Sequence, residues 1–194
     1  MNLKILYEDN HLIAVYKPAG VLVQGDKSGK TNLMDEVKLY IKEKYKKPGN
    51  VFLGLLHRLD RPVSGIVLFA KTSKGASRLS EQFRNRSVKK IYHTIVVGKP
   101  SKKKDKLIHY LRKDINSKKA LACEKQIAGC QRAELEYELL KTSGDFSFLK
   151  IKLASGRFHQ IRFQLAAIGC PIAGDAKYGA DKNFIASSPL WLAQ

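Results

Sequence analysis

Residues 133–153 read AELEYELLKTSGDFSFLKIKL, and this stretch points to the fold class. Apolar and acidic residues alternate through its first half, so that Leu135, Tyr137 and Leu139 face one side of a strand and three glutamates face the other. A serine–glycine–aspartate turn follows, and a second apolar stretch returns over 146–153. The pattern predicts an antiparallel pair of strands with one buried face and one hydrated face.

Short apolar stretches of strand length recur through the rest of the chain, and amphipathic helical stretches separate some of them. No strand–helix–strand rhythm connects them, which argues against a parallel sheet. We therefore predict an α+β fold in which a mixed, largely antiparallel sheet is flanked by helices, with the whole chain forming a single domain. The predicted strands cover residues 3–6, 12–16, 66–70, 89–97, 133–141 and 146–153, and the predicted helices cover 31–47, a stretch from Ser73 onward, and a stretch from about 157 to Gly169.

Positive charge dominates the composition, with 36 Lys and Arg against 17 Asp and Glu and a formal net charge of +19. A compact chain with this excess repels itself unless a polyanion offsets it, so RNA or DNA is the leading candidate partner. An anionic membrane is a weaker candidate, because no apolar run approaches the roughly 20 residues that a spanning helix needs. The basic region 99–119 predicts an exposed loop or hairpin, either simply hydrated or in contact with RNA.

The cysteines and histidines are sparse and show no metal-binding spacing. Cys123, Cys130 and Cys170 form no CxxC pair, which argues against a disulfide framework or a zinc site and for a reducing cytoplasm. The five histidines show no HExxH or similar pattern. No signal peptide is visible in the sequence. We expect no metal, a cytoplasmic location and a monomer.

Residues 57–65, HRLDRPVSG, contain the most informative single residue, Asp60. The carboxylate lies in a Pro/Gly-containing turn between two apolar runs, and the cations Arg58 and Arg61 flank it. Flanking cations favour the ionised form, which suits a nucleophile or a base. On this stretch alone, an aspartate that merely caps its turn or a nearby arginine is the more common case.

Four segments of the chain carry a specific pattern when they are taken together. They are YEDN through KPAG over 7–20, HRLD with SG over 57–65, KKIY with VG over 89–98, and GRFHQIR followed by GDAKYG over 156–179. In this order and spacing they resemble the RluA-type pseudouridine synthases, and the likeness runs from about residue 3 to residue 180. Any one motif would be weak, but four in sequence are specific.

This resemblance implies an enzyme that isomerises uridine in RNA to pseudouridine without a cofactor. Asp60 matches the family's catalytic aspartate, which acts at the sugar–base bond. Tyr92 matches the active-site tyrosine that packs on the target base and assists removal of the C5 proton. Arg162 matches the arginine that pairs with the aspartate. Taken singly, Tyr92 would be a packed strand aromatic and Arg162 a surface helix residue.

Further basic residues are predicted to contact RNA. By the resemblance, Arg58 fills the gap that the flipped base leaves, and Arg61 lies on the other side of the aspartate. Arg157 and His159 stand near the start of the last predicted helix, where phosphate binding is favourable. The expected substrate is ribosomal or transfer RNA.

Two other functions fit the sequence less well. A non-catalytic RNA-binding or ribosome-assembly module of the same fold would keep the +19 charge but would not need Asp60, Tyr92 and Arg162 together. A glycosidase acting on free sugars would need a second carboxylate that the sequence does not offer. The motifs also lead us to expect that the chain ends before the family's last strands, as a truncated form would.

Overall fold

The computed structural model describes residues 3–25, 29, 31–125, 127–179 and 192–193. The chain folds as two compact units, residues 1–88 and residues 89–194. The expectation of a single domain stays a prediction. The expectation about the end of the chain concerns mainly residues 180–191, which lie outside the described part.

The first unit is built on a four-stranded antiparallel sheet in the order β1-β2-β4-β3. The strands predicted over 3–6 and 12–16 are confirmed as the antiparallel pair β1 and β2, and the strand predicted over 66–70 is β4. Ile13, Val15, Val67 and Phe69 are fully buried. The strands are β1 Lys4–Glu8, β2 Leu12–Lys17, β3 Gly54–Leu55 and β4 Gly65–Ala70.

Two helices belong to the first unit, and both begin at a capping side chain. Helix α1 spans Leu33–Lys44, and the Asn32 side chain accepts a hydrogen bond from the backbone of Asp35. Helix α2 spans Ser73–Arg84, and Thr72 caps it in the same way. Helix α1 is shorter than the predicted 31–47 because its cap lies at Asn32 and its last helical turn closes before residue 45.

The second unit contains a six-stranded antiparallel sheet in the order β10-β5-β9-β8-β6-β7. The predicted strand pair of residues 133–153 is confirmed as β8 and β9, and Leu135, Leu149 and Ile151 are fully buried. The basic region 99–119 contributes to the hairpin of β6 and β7. The strands are β5 Ile91–Val97, β6 Lys104–Asp114, β7 Lys119–Ala122, β8 Gln131–Ser143, β9 Phe146–Leu153 and β10 Leu192–Ala193.

Helix α3, Gln160–Ala167, packs in the second unit with Ile161 and Leu165 buried. Gly169 follows it at a φ of +75°, a left-handed conformation that ends the helix as predicted. The chain then runs beside β5, where Ile172 bridges to Val96. The α+β fold class is confirmed, and no described helix is long and apolar enough to cross a membrane.

The expectation about the cysteines was wrong in one respect. Cys123 and Cys130 form a disulfide across a Cα–Cα distance of 6.1 Å. The loop between β7 and β8 folds back through two turns, with backbone hydrogen bonds from Ile127 to Glu124 and from Cys130 to Ile127. Local turns of this kind bring two cysteines together without a CxxC motif. Cys170 is a buried free thiol.

Candidate active site

Asp60 lies in the first unit, in the loop of residues 56–64 that connects β3 to β4. The backbone N–H of Val63 donates to the Asp60 carbonyl at 3.0 Å, which closes a tight turn. Leu59 and Val63 are buried on either side of the partly exposed aspartate. The two apolar neighbours therefore anchor the loop, while the aspartate residue beside them is partly exposed.

A buried lysine at the end of β2 supports this loop. The Lys17 side chain is 0% exposed, and its Nζ donates to the carbonyls of Pro18 at 3.1 Å, Val21 at 2.8 Å and Arg61 at 3.1 Å. Burial lowers the pKa of Lys17 to about 8, and the negative charge of Asp60 opposes this shift. Lys17 thus lies within electrostatic reach of the predicted nucleophile.

Sequence reasoning did not assign Lys17 to the site. The only available signal was its position at the end of an apolar strand, in the KPAG segment. A strand end is an ordinary place for an exposed lysine, so its burial could not be predicted from the strand pattern.

The two arginines beside Asp60 have different environments. Arg61 exchanges contacts with Gly20: its carbonyl accepts from the Gly20 N–H at 2.7 Å, and its Nε donates to the Gly20 carbonyl at 3.0 Å. Arg58 is exposed. Arg61 therefore ties the Asp60 loop to the loop after β2, and its proposed RNA contact, like that of Arg58, stays a prediction.

His57 holds the start of the same loop. Its Nε2 accepts a hydrogen bond from the backbone N–H of Leu68 at 3.1 Å, just beyond the last β3–β4 pair, Leu55 with Phe69. The imidazole also stacks on Phe83 of α2 at a centroid distance of 5.3 Å. The His57 side chain thus adds one hydrogen bond to the end of the β3–β4 pairing that leads into the Asp60 loop.

Tyr92 and Arg162 belong to the second unit. Tyr92 shares the inner face of β5 with Thr94 and Val96, as the two-residue period of a strand requires, and it is 7% exposed. Its cross-strand partner is Ile151 of β9. The tyrosine is therefore held on a rigid, buried strand position.

Arg162 lies on α3, and hydrogen bonds to Asp175 and His159 hold its guanidinium. Its Nε and Nη2 donate to the two carboxylate oxygens of Asp175, each at 2.7 Å, and its Nη1 lies 3.1 Å from the Nε2 of His159. The side chains of Arg162 and Asp175 are 9% and 1% exposed. The predicted pairing of Arg162 with Asp60 stays a prediction, since the two residues belong to different units.

His159 is the left-handed N-cap residue of α3, with a φ of 50°. Its Nδ1 lies 2.9 Å from the Tyr178 hydroxyl, which accepts the backbone N–H of Ala120 at 2.6 Å. Burial, followed by the charges of Arg162 and two lysines, lowers the pKa of His159 to about 3. The imidazole therefore serves an internal hydrogen-bond network, and its predicted phosphate contact is untested.

Arg157 is the other residue predicted to bind phosphate near α3. Its Nε donates to the carbonyl of Arg132 at 3.2 Å, and its backbone N–H donates to Gln160.

Among the residues that the structure describes, no group of three or more His, Cys, Asp or Glu side chains could hold a metal ion.

A family model for RNA pseudouridylate synthases matches residues 11–167. The chain belongs to the RNA pseudouridylate synthase family. The matched region contains Asp60, Tyr92 and Arg162, so the resemblance seen in the four motifs is confirmed at the level of the family. Asp175 and Tyr178 lie beyond the matched region.

Named relatives agree with this assignment. The chain is 35% identical over 189 residues to ribosomal large subunit pseudouridine synthase C of Rickettsia bellii, covering 97% of this chain and 60% of that protein. It is 32% identical over 183 residues to ribosomal large subunit pseudouridine synthase D of Zymomonas mobilis, covering 93% and 57%. The chain thus spans about 60% of the length of these relatives.

A solved structure shares the fold. Human RNA pseudouridylate synthase domain containing 4 superposes with a TM-score of 0.82 at 23% identity, covering 98% of this chain and 81% of that one. At this identity the likeness concerns the fold alone.

Proposed function

We propose that this chain isomerises specific uridines in ribosomal or transfer RNA to pseudouridine, with Asp60 as the catalytic nucleophile. The N1–C1′ bond of the target nucleotide breaks and a C5–C1′ bond forms, while C5 loses a proton and N1 gains one. The reaction is a rearrangement within one nucleotide, so its atoms balance without a cofactor. The observation that carries the proposal is the partly exposed Asp60, in a family-matched loop fastened to the buried ammonium of Lys17.

The Asp60 loop has the properties that a nucleophile needs. Its backbone is fixed by the Lys17–Arg61 and Gly20–Arg61 contacts, so the loop does not have to be ordered at the moment of reaction. The three Lys17 hydrogen bonds go to backbone carbonyls, so the ammonium holds the loop while its positive charge favours the ionised form of the Asp60 carboxyl group.

Tyr92 and Arg162 receive their roles from the family. In this proposal Tyr92 packs on the target base and assists removal of the C5 proton, and Arg162 is the charge partner of the Asp60 carboxylate. A nearly buried tyrosine on a strand and a bidentate-held arginine are both rigid, as a site that reworks a flipped base requires.

RNA is the proposed partner because charge and family agree. The excess of +19 suits a phosphate backbone, and the relatives are named for the ribosomal large subunit. In this proposal the exposed Arg58 fills the gap left by the flipped uridine, and Arg61, Arg157 and His159 contribute further contacts. The protein would act as a monomer in the cytoplasm.

The test is pseudouridine mapping across total RNA from cells with and without this gene. We expect one or a few ribosomal or transfer RNA positions to lose pseudouridine in the deletion and to regain it when the wild-type gene returns. An unchanged map would contradict the proposal. A map unchanged by deletion, together with tight RNA binding by the purified protein, would instead favour the non-catalytic binding module.

A further inference from the structure

We propose that Asp175 and His159 are positioning residues that fix the guanidinium of Arg162 for the reaction. The inference rests on the proposed function, since it assumes that Arg162 acts in pseudouridine formation. All the contacts that support it lie within the second unit.

The Arg162–Asp175 contact is bidentate, and both side chains are almost fully buried. Two parallel N–H···O bonds of 2.7 Å define both the distance and the plane of the guanidinium, which a single contact would not. Asp175 is itself rigid: its backbone N–H donates to Ile172 at 3.0 Å, and its carbonyl accepts from Tyr178 at 3.1 Å. Because the turn fixes the Asp175 carboxylate, the carboxylate can hold the Arg162 guanidinium in one orientation.

The third contact defines the state of His159. Arginine can only donate, so the Nε2 of His159 must accept from the Nη1 of Arg162. The proton of the neutral ring then lies on Nδ1, which donates to the Tyr178 hydroxyl. That hydroxyl also accepts the N–H of Ala120, so β7 anchors the far end of the network. The imidazole stays neutral, since its pKa is about 3.

This arrangement orients the arginine before any substrate arrives. A guanidinium has five N–H donors, and the contacts to Asp175 and His159 involve three of them, so these contacts do not require its whole donor capacity. The anion that Arg162 serves is the Asp60 carboxylate in the proposed function. Holding the long side chain in advance removes the rotamer entropy that would otherwise oppose that interaction.

The test compares His159→Leu with His159→Gln. The glutamine carbonyl can reach the position of Nε2 and accept from Arg162, whereas leucine cannot accept, and both substitutions place an ordinary side chain in the same left-handed conformation. We would measure the melting temperature, the Kd for a substrate RNA and the single-turnover rate of pseudouridine formation. A purely structural role would change the first quantity but not the rate of the folded protein.

We expect His159→Leu to lower the single-turnover rate at saturating RNA about tenfold or more, and His159→Gln to recover most of that loss. Asp175→Asn should lower the rate about 100-fold in the protein that remains folded. If Asp175→Asn does not fold, the His159 pair decides the question alone. A wild-type rate in His159→Leu, or a loss equal in both His159 variants, would overturn the inference.

This inference and the proposed function fail in different ways. If the wild-type protein makes no pseudouridine in any RNA, the proposed function falls, and the inference that rests on it falls as well. If wild type is active and Asp60→Asn is inactive, but His159→Leu keeps the full rate, only the positioning role is wrong.

Discussion

The Asp60 loop and the Arg162 cluster hold their functional groups in different ways. The Asp60 loop is fixed through its backbone: Lys17 donates to the carbonyl of Arg61, and Gly20 donates to the same carbonyl. In the cluster, the functional side chain itself is fixed, by Asp175 and His159. In the proposed function Asp60 is a nucleophile that must reach a substrate carbon, and a rigid loop with a partly exposed aspartate suits that role. The same proposal makes Arg162 a charge partner that acts from a fixed position, a role that its burial allows.

Removal of the charge of Arg162 from its cluster with Asp175 and His159 should change stability and activity the most. Arg162→Met leaves the carboxylate of Asp175 buried without its cation, and we expect a loss of about 3–5 kcal/mol in the free energy of unfolding, with loss of activity. The double variant Arg162→Met, Asp175→Asn removes both charges and should regain part of the stability. Urea denaturation of the two single variants and the double variant would measure the coupling. Additive losses would show that the two side chains do not act as a pair.

The second prediction concerns Lys17, which supports the Asp60 loop. Lys17→Met leaves three carbonyls without their buried donor, and we expect a loss of about 1–3 kcal/mol in the free energy of unfolding at pH 7. Lys42→Met, at an exposed position of α1, is a matched control that should be near neutral. Urea denaturation of both variants would measure the difference, and equal losses would show that Lys17 does not support the loop.

The pH dependence of the stability of the same variant gives a second measure of the burial of Lys17. The pKa of Lys17 is about 8 in the folded protein and near 10.5 in the unfolded chain, so the folded state binds fewer protons between these values. Wild-type stability therefore gains a contribution as the pH rises from 8 toward 10.5, and methionine cannot provide it. The stability difference between wild type and Lys17→Met should grow over this window. A constant difference would contradict the assigned burial of the lysine.

A third prediction concerns the rate rather than the stability. His57→Leu removes the acceptor for the Leu68 N–H, which loosens the start of the Asp60 loop, and we expect about a tenfold fall in the single-turnover rate. His57→Gln can still accept at the position of Nε2 and should lose much less. The Kd for RNA should change little in either variant. Equal rates in the two variants would show that this hydrogen bond does not position the loop.

The effect that is weakest near neutral pH concerns the acid sensitivity of the Arg162, Asp175 and His159 cluster. The folded pKa of His159 is about 3, below its ordinary value of 6.5, so the unfolded chain binds the extra proton first as the pH falls. Stability from this residue is thus present above pH 6.5 and is lost toward pH 3. His159→Gln should make the stability less dependent on pH in this range, as thermal melts at about pH 4, 5 and 7 would show. An unchanged pH profile would contradict a neutral, internally bonded imidazole.

Local patterns were predictable from the sequence. The alternation over 133–153 depends only on the two-residue period of a strand, and the grouping of Tyr92 with Thr94 on one face of β5 followed from the same rule. Asp60 stood in a contiguous motif between two apolar runs. The structure of region 99–119 was harder to predict, because β6 buries only a few residues, such as Leu107 and Leu111, among many lysines.

The supports of the site could not be predicted in this way. Lys17 is 44 residues from the Arg61 carbonyl that it contacts, and Asp175 is 13 residues from Arg162. Such contacts depend on how separate segments turn back on one another, which no local period specifies. The Cys123–Cys130 disulfide was missed for the same reason, since two turns and not a motif bring the cysteines together.

The most direct test of the central claim is the single-turnover rate of Asp60→Asn on a substrate RNA, measured beside Asp145→Asn. Asp145 lies in the exposed β8–β9 turn, so the control makes the same chemical change away from the loop. We predict that Asp60→Asn folds and binds RNA like wild type but forms pseudouridine at least about 10³-fold more slowly, while Asp145→Asn keeps the wild-type rate. Pseudouridine formation by Asp60→Asn at a rate near that of wild type would contradict the assignment of Asp60 as the nucleophile.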